Sequence, residues 1–311
     1  MTMNRVRRMA LKALTLPIDL KKNYMLQRKI IMAAHPYIKP LYNLLDRKII
    51  LEGREIPVRI FNPNIRYGFK VLVFFHGGGW VTGNIDSYSN ICANMAKETG
   101  YMVISVDYRL APEYPYPAGV EDCYYVTREI FMNHGLFQSN PEEITLIGDS
   151  AGGNLAAVVS LMARDRGEFL TTKQILLYPS TYYDHTEKSP FASVRENGTG
   201  YILTSKRICD YMDLYINKKE DRYSPYVAPL AAEDLSRQPK TLIITAEYDP
   251  LRDEGEAYGM RLKKYGNTVT IERIKDALHG FLTLPKHSTY VMNCYEIINR
   301  FLHEENINET S

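Results

Sequence analysis

A serine between two glycines, in Gly148-Asp149-Ser150-Ala151-Gly152, lies between a short β-forming apolar run and a helix-forming run. A serine held at a sharp strand-to-helix turn has a strained backbone, and side chains two residues away on either side would collide across the turn. Glycine at both positions removes that collision. Since Ser150 would also begin the following helix, the free N–H groups and the helix dipole favour developing negative charge there. The pattern therefore predicts a nucleophilic serine.

A base and an acid must accompany this serine, because its hydroxyl is a weak nucleophile near pH 7. The chain has seven histidines, and His279 is the one on a loop after the last predicted strand, with a glycine beside it. We therefore predict His279 as the general base and general acid. His76 follows an earlier strand and could be mistaken for the base, but we expect it to brace its own loop by hydrogen bonding.

Asp249 is the predicted acid, because it stands where the strand predicted over residues 242–247 ends. A carboxylate at the carboxyl end of such a strand faces the crevice in which the active sites of open α/β sheets lie. Glu247 would still be inside the strand, and Asp253, the alternative, would begin the next helix and could cap it. Asp149 adjoins the serine in sequence, so its side chain should point elsewhere and make a structural hydrogen bond.

A second glycine-rich segment, His76-Gly77-Gly78-Gly79-Trp80, directly follows a continuous apolar run at residues 70–75. Consecutive glycines leave their backbone N–H groups bare, so a ligand oxygen can approach them closely. We predict that the amides of Gly77 and Gly78, together with that of Ala151, form an oxyanion hole. A flexible turn is the alternative, but the pairing of this segment with the serine motif favours the functional interpretation.

The elements around these motifs alternate regularly between apolar β-forming runs and helical patterns. The run at residues 70–75 is apolar throughout, as expected of a strand buried on both faces of a largely parallel sheet. The alternation predicts an α/β fold, in which a doubly wound, mostly parallel sheet is flanked by helices. Residues 48–52 and 55–61 should form a hairpin, and the last strand should span residues 268–274.

Two segments interrupt this alternation. Residues 1–46 are predicted to form two or three short helices broken by prolines, and residues 181–223 are rich in tyrosine, with one helix near 205–216. Long irregular segments inside a regular α/β pattern are usually functional. We predict that both segments cover the serine as a helical cap on a core made of residues 47–180 and 224–311. The aromatic residues predicted to contact substrate are Trp80, Tyr182, Tyr183 and Tyr201.

Length and composition fit a globular chain with a large core, since 45% of the 311 residues are apolar and 24% are charged. The four cysteines form no Cys-x-x-Cys pair, which argues against a metal knuckle or a disulfide scaffold and suits a reducing compartment. No apolar run approaches the roughly 20 residues that cross a membrane. We expect a cytoplasmic protein that needs neither a metal nor an organic cofactor.

The amino-terminal region is basic: the first 50 residues carry eleven lysines and arginines and two acidic residues, whereas the whole chain has a net charge of +2. A basic amphipathic start can bind membrane surfaces or nucleic acid. Here the apolar residues are scattered and no uninterrupted polybasic block occurs. We therefore expect a helical segment that packs on the body of the protein, with no nucleic-acid partner and no stable membrane insertion.

Five short motifs follow one another along the chain: His76-Gly77-Gly78-Gly79-Trp80, Tyr108-Arg109-Leu110-Ala111-Pro112-Glu113, Gly148-Asp149-Ser150-Ala151-Gly152-Gly153, Asp249-Pro250-Leu251-Arg252-Asp253-Glu254 and His279-Gly280-Phe281. In order and spacing they resemble the hormone-sensitive lipase family of α/β-hydrolases, in its bacterial carboxylesterase branch. The resemblance extends from residue 47 to the end. It implies an α/β-hydrolase fold, with an eight-stranded, mostly parallel sheet and a helical cap.

The same resemblance implies a serine carboxylesterase that hydrolyses short-acyl esters of small molecules through an acyl-enzyme intermediate. It assigns the roles predicted above, with Ser150, Asp249 and His279 as the triad. Such a triad also serves deacetylases of acetylated sugars or other small acetyl esters, as well as amidases, lactonases and peptidases. Plant gibberellin receptors resemble this fold as non-catalytic binding modules but lack the catalytic histidine, which is present here. Families of this kind often pair through an edge strand or terminal helix, so a homodimer is an alternative to a monomer.

Overall fold

The computed structural model describes residues 19–34, 46–51, 53–63, 70–137 and 139–304. Within these ranges the chain forms one sheet of eight strands. In chain order the strands are β1 (Asp46–Leu51), β2 (Arg54–Phe61), β3 (Val71–Phe75), β4 (Met102–Val106), β5 (Ile144–Asp149), β6 (Lys173–Leu177), β7 (Lys240–Tyr248) and β8 (Val269–Leu278).

The strand order across the sheet is β1-β2-β4-β3-β5-β6-β7-β8. β1 and β2 form an antiparallel hairpin, and β2 also pairs antiparallel with β4, whereas the remaining pairs are all parallel. The predicted eight-stranded, mostly parallel sheet is therefore confirmed. The register places Phe75 of β3 opposite Gly148 of β5. The glycine-rich segment after β3 and the serine motif after β5 consequently leave the sheet side by side.

The central strands are buried along their whole length, which explains why their sequences are apolar rather than alternating. Successive side chains of a strand point to opposite faces. In β3, Val71, Val73 and Phe75 accordingly belong to one hydrophobic cluster, and Leu72 and Phe74 belong to a second. The sheet thus has a separate hydrophobic core on each face.

Helices cover both faces of the sheet. Tyr124, Leu155 and Tyr258 join the cluster on the first face, whereas Met95 and Phe301 join the cluster on the second face. This arrangement confirms the predicted doubly wound fold. The α-helices of the described residues are α1 (Leu20–Ala34), α2 (Ile85–Thr99), α3 (Ala118–Met132), α4 (Ala151–Arg166), α5 (Ala192–Asn197), α6 (Ser205–Tyr215), α7 (Arg252–Lys264) and α8 (Thr289–His303).

The last strand is longer than the sequence predicts. β8 continues to Leu278, because Tyr248 pairs with Leu278 after an irregularity in the register of β7 and β8. At this irregularity Asp276 has a φ of 59°, and its N–H donates to Glu247 Oε2 at 2.7 Å. The chain therefore bends at Asp276 without leaving the sheet, and His279 follows the strand directly.

The described part of the amino-terminal segment, α1, lies against α6. Gln27 Nε2 donates to the Tyr211 hydroxyl at 2.9 Å, inside this interface. Arg28 also ties α1 to the core, since it pairs with Glu113 at 2.8 Å and donates to the carbonyl oxygen of Val81 at 2.7 Å. Two segments separated by most of the chain are thus held together over the same part of the sheet.

The assignment of residues 1–46 and 181–223 to a single cap stays a prediction, which these contacts support for the described part of both segments. The other short helices predicted before and after α1 would fall at residues 1–18 and 35–45, which lie outside the described residues. Across the described ranges, no helix is long and apolar enough to cross a membrane.

Candidate active site

The turn between β5 and α4 holds Ser150 in an unusual backbone conformation, with a φ of 55° and a ψ of −118°. The two flanking glycines are required by close packing. A Cβ atom on Gly152 would lie 1.9 Å from the carbonyl oxygen of Phe75, and one on Gly148 would lie 2.2 Å from the carbonyl oxygen of Gly152. The Ser150 N–H donates to the carbonyl oxygen of Leu177 at 2.8 Å, which fixes the turn against β6.

Three side chains form a continuous chain of hydrogen bonds at the carboxyl edge of the sheet. Ser150 Oγ lies 2.9 Å from His279 Nε2, and His279 Nδ1 lies 2.7 Å from Asp249 Oδ2. Asp249 is fully buried, and its other oxygen accepts the Leu251 N–H at 2.9 Å. The structure thus brings together the serine, histidine and aspartate that the sequence predicts, although they are contributed by the ends of three different strands.

The other carboxylates near the end of β7 have different partners. Glu247 accepts the Asp276 N–H, as described above. Asp253, the alternative acid, accepts the Ser193 N–H at 2.7 Å and pairs with Arg252 at 2.8 Å. The expected cap on its own helix is not formed; instead, Asp253 binds the first turn of α5.

The oxyanion hole predicted from the sequence requires a correction at Gly77. Its N–H donates to Asp149 Oδ1 at 2.8 Å, so this amide already has an acceptor and is not available to a substrate. The pocket at the serine is lined instead by Gly78, Gly79 and Ala151. None of these three amides has a hydrogen-bond acceptor among the described residues. The amides that are free at the serine therefore lie one residue further along the glycine segment than the predicted donors.

Asp149 has the structural role expected of it. Its buried carboxylate accepts the Gly77 N–H and lies 3.1 Å from the Tyr88 hydroxyl and 3.4 Å from the Tyr178 hydroxyl. Burial raises the pKa of Asp149 from 3.8 to about 6, although the hydrogen bonds from Gly77 and Tyr88 act in the opposite direction. The carboxylate thus joins the glycine segment to the serine turn.

His76 braces the glycine segment from within the core. The ring is fully buried, its Nδ1 lies 2.9 Å from the carbonyl oxygen of Gly77, and it stacks on Tyr108 with ring centroids 4.3 Å apart. Burial lowers the pKa of His76 to about 4, so the ring is neutral near pH 7. These contacts agree with the bracing role that the sequence predicts for His76.

We expect Asp149→Asn to change the pH dependence of stability. Because the pKa of Asp149 is higher in the folded protein, this group makes the free energy of unfolding fall as the pH rises from about 4 to about 6. The loss attributable to this group is about 3 kcal/mol. Urea unfolding at several pH values should show that the free energy of unfolding of the variant increases relative to that of the wild type as the pH rises from about 4 to about 6.

Asp253→Asn is the matched control for this measurement. The Arg252 and Ser193 hydrogen bonds outweigh burial and lower the pKa of Asp253, so this carboxylate stabilises the fold increasingly as the pH rises through its titration. Replacing Asp253 should therefore change the slope of the free energy of unfolding against pH in the direction opposite to that expected for Asp149→Asn. If the free energy of unfolding of both variants depends on pH in the same way as that of the wild type, the interpretation of the Asp149 carboxylate is wrong.

A pocket of about 530 Å³ opens at Ser150 and His279. Trp80, which is predicted to contact substrate, is among its lining residues and stacks on Tyr215 with ring centroids 4.5 Å apart. Further walls come from α1, from α6 and from the residues just before α6. The pocket residues that the sequence analysis did not assign to substrate contact include Gln27, Ile30, Ile31, Ile202, Leu203, Arg207, Ile208, Tyr211 and Leu251.

The three tyrosines predicted to contact substrate lie elsewhere, which corrects that part of the prediction. Tyr182 and Tyr183 pack on each other, with their hydroxyls 2.9 Å apart, and Tyr201 stacks on Tyr248. For Tyr182 the reason is the buried carboxylate of Glu254, which accepts its N–H at 3.1 Å. This bond holds the start of the 181–223 segment against α7.

Tyr211 is the tyrosine of that segment that does line the pocket. Ile208, Tyr211, Met212 and Tyr215 are buried and recur at helical spacing on α6. The helical spacing of these buried residues was therefore the signal in the sequence for Tyr211. It distinguishes a tyrosine on the buried face of a helix from tyrosines in the irregular parts of the segment. Among the described residues, no group of three or more His, Cys, Asp or Glu side chains is arranged to hold a metal ion.

The known proteins that are similar to this chain in sequence or structure include several esterases. An arylesterase from Saccharolobus solfataricus is 40% identical over 253 residues, which are 81% of this chain and 81% of that protein. The carboxylesterase NlhH from Mycobacterium tuberculosis is 34% identical over 252 residues, covering 79% of this chain and 78% of that protein. A solved hyperthermophilic esterase from the archaeon Pyrobaculum calidifontis superimposes with a TM-score of 0.83 and 34% identity, covering 97% of this chain and 98% of that chain.

The family model described as the alpha/beta hydrolase fold matches residues 72–283, a range that includes Ser150, Asp249 and His279. The fold and the site thus define the class of α/β-hydrolases. Within that class the chain belongs to the hormone-sensitive lipase-like carboxylesterase family, as the motifs predict. The predicted enzyme class, carboxylic ester hydrolase, is confirmed with it.

Proposed function

We propose that this protein hydrolyses short-acyl carboxylic esters of small molecules through a triad of Ser150, His279 and Asp249. The observation that carries the proposal is the continuous hydrogen-bond chain from Ser150 Oγ through His279 to Asp249, at 2.9 and 2.7 Å. A non-catalytic binding module would have no need for a base in contact with a strained serine.

The first step in this mechanism is acylation of the serine. His279 Nε2 accepts the hydroxyl proton as Ser150 Oγ attacks the ester carbonyl carbon. Asp249 accepts the Nδ1–H of the ring, which leaves Nε2 free as the base and stabilises the imidazolium that forms. When the tetrahedral intermediate collapses, the imidazolium protonates the leaving alcohol, and the acyl group stays on Ser150.

Water completes the cycle. His279 removes a proton from a water molecule that attacks the acyl-enzyme, and the second tetrahedral intermediate releases the carboxylic acid and restores the Ser150 hydroxyl. Every proton in this sequence passes through His279, so neither a metal nor an organic cofactor takes part in it.

We assign stabilisation of the oxyanion to the amides of Gly78, Gly79 and Ala151. Donors of this kind are effective because they are already oriented before charge develops, and loss of one typically costs about 10²–10³ in rate. Ala151 begins α4, so its N–H has no acceptor within the helix and lies at the positive end of the helix dipole. The hydrogen bond between the Gly77 N–H and Asp149 would hold the amides of Gly78 and Gly79 in position.

The preference for short acyl groups is supported by the size of the pocket. Its volume of about 530 Å³ must accommodate both the acyl group and the alcohol. Ile208 and Tyr211 of α6 form part of its wall, as members of the proposed cap. The cytoplasmic location and the homodimer stay predictions.

An ester series tests this proposal directly. We expect kcat/KM on p-nitrophenyl esters to be greatest among the acetate, butyrate and hexanoate and to fall steeply towards the palmitate. The reason is that a long chain would have to displace Ile208 or leave the pocket and lose the burial of its methylenes, at about 0.8 kcal/mol each. A rate that keeps rising to the palmitate would contradict the assignment of short acyl groups.

A further inference from the structure

Arg207 occupies a part of the pocket that catalysis does not use. It lies in the first turn of α6, is partly buried, and lines the same cavity as Ser150 and His279. Its backbone N–H donates to the hydroxyl of Thr204, which caps the helix. The guanidinium is thus carried on a well-anchored turn at the wall of the site.

The guanidinium of Arg207 has no hydrogen-bond acceptor and no carboxylate partner among the described residues. Every other arginine of the described ranges that is partly or fully buried has one, as illustrated by Arg59 with Asp46 and Arg109 with Asp122. The stretches on either side of α1 that are not described, residues 1–18 and 35–45, contain no aspartate or glutamate. They therefore offer this cation no acidic side chain.

Two nearby acidic groups are engaged with other partners, and Asp19 and Glu187, which line a second cavity that Arg207 shares, form no ion pair with it. Asp210, one turn along α6, pairs with Lys206 at 2.5 Å and lies 3.8 Å from Lys21. Asp149, the carboxylate that lines the pocket, accepts hydrogen bonds from Gly77 and Tyr88. Arg207, which forms no ion pair within the described ranges, therefore brings a positive charge to the pocket wall.

The position of Arg207 is also unfavourable for the helix. A cation in the first turn meets the positive end of the helix dipole, and α6 has no acidic residue in that turn. Partial burial without a counter-ion adds a desolvation cost. A residue that destabilises its own helix and lines the pocket at Ser150 is more readily explained by a ligand than by folding.

We propose that Arg207 binds a carboxylate carried by the substrate, so that the preferred substrates are esters bearing a second, ionised carboxyl group. The inference rests on the proposed esterase function and specifies its substrate class. The planar guanidinium suits a carboxylate because it can donate two parallel hydrogen bonds to it. The apolar lining around Arg207 would strengthen this pairing by lowering the local dielectric constant.

The carboxylate could be attached to either side of the ester bond, and two matched pairs of substrates separate these cases. On the acyl side, monoethyl adipate is compared with ethyl hexanoate. On the alcohol side, 3-acetoxybenzoate is compared with 3-methylphenyl acetate. Hydrolysis is followed at pH 7 by titration of the released acid, and kcat/KM is determined for each ester.

In the wild-type protein we expect the charged ester to be preferred by at least about 10-fold in one of the two pairs, as a charge-assisted bidentate contact allows. Arg207→Gln should abolish this preference and leave kcat/KM for the neutral ester within about threefold. Arg207→Lys should retain part of it, because a lysine keeps the charge but not the fork of donors. Arg237→Gln is the matched control, since Arg237 is exposed and precedes β7 at the opposite edge of the sheet.

Thermal unfolding separates recognition from folding. Because Arg207 lies at the unfavourable end of α6, Arg207→Gln should unfold at the same temperature as the wild type or at a higher one. Provided that the neutral esters are hydrolysed, either of two results would overturn the inference. One is a wild type with no preference for either charged ester, and the other is an Arg207→Gln variant that keeps the preference. If none of the four esters is hydrolysed, the proposed function fails and this inference fails with it.

Discussion

Replacing Ser150 by alanine should reduce kcat for ester hydrolysis by about 10⁵–10⁶, because no other group can form the acyl-enzyme. Amides in the oxyanion hole would still bind the carbonyl oxygen, so a small rate above that of the uncatalysed reaction should persist. Removal of a single Oγ atom leaves no cavity in either hydrophobic core, and the fold should be retained. Steady-state hydrolysis of p-nitrophenyl butyrate measures the loss.

Ser180→Ala is a demanding control, since the same atom is removed from the same pocket. Ser180 is buried, lines the cavity at Ser150, and its hydroxyl has no hydrogen-bond partner among the described residues. Its loss should change kcat by no more than a few-fold. A fluorophosphonate probe should label the wild type and Ser180→Ala, but not Ser150→Ala. Equal losses in both alanine variants, or labelling of Ser150→Ala, would remove Ser150 from the role of nucleophile.

The sequence predicted the triad because its three residues are marked by local patterns. Glycines around Ser150 reflect collisions within one turn, and the positions of Asp249 and His279 follow from where strands end. Each of these signals depends on only a few neighbouring residues. A regular alternation of strands and helices then implies that all three positions lie along the same edge of the sheet.

Contacts between distant parts of the chain were not visible in the same way. The amide of Gly77 donates to Asp149, a partner 72 residues away, and no local pattern distinguishes this amide from that of Gly78, which has no such acceptor. Tyr182 is likewise held away from the pocket by Glu254, 72 residues further on. Composition could identify a tyrosine-rich segment over the serine, but only packing decided which tyrosine faces it.

Replacing Asp249 by asparagine should reduce kcat by about 10⁴, although the variant differs from the wild type by a single group of similar size. One oxygen of Asp249 accepts the Leu251 N–H at 2.9 Å, so the asparagine oxygen should take that place. Its amide group would then face His279 Nδ1, the atom now 2.7 Å from Oδ2. Because an amide nitrogen only donates, Nδ1 must become the acceptor and the ring proton must move to Nε2.

In this tautomer Nε2 presents a proton to Ser150 Oγ and can no longer act as its base, which explains why so small a change should have so large an effect. Asp253→Asn introduces the same substitution four residues away, at a carboxylate that binds Ser193 and Arg252 rather than His279. Hydrolysis of p-nitrophenyl butyrate by both variants, with thermal unfolding as a check on folding, measures the difference. A loss in Asp253→Asn as large as that in Asp249→Asn would show that the acid has been assigned to the wrong carboxylate.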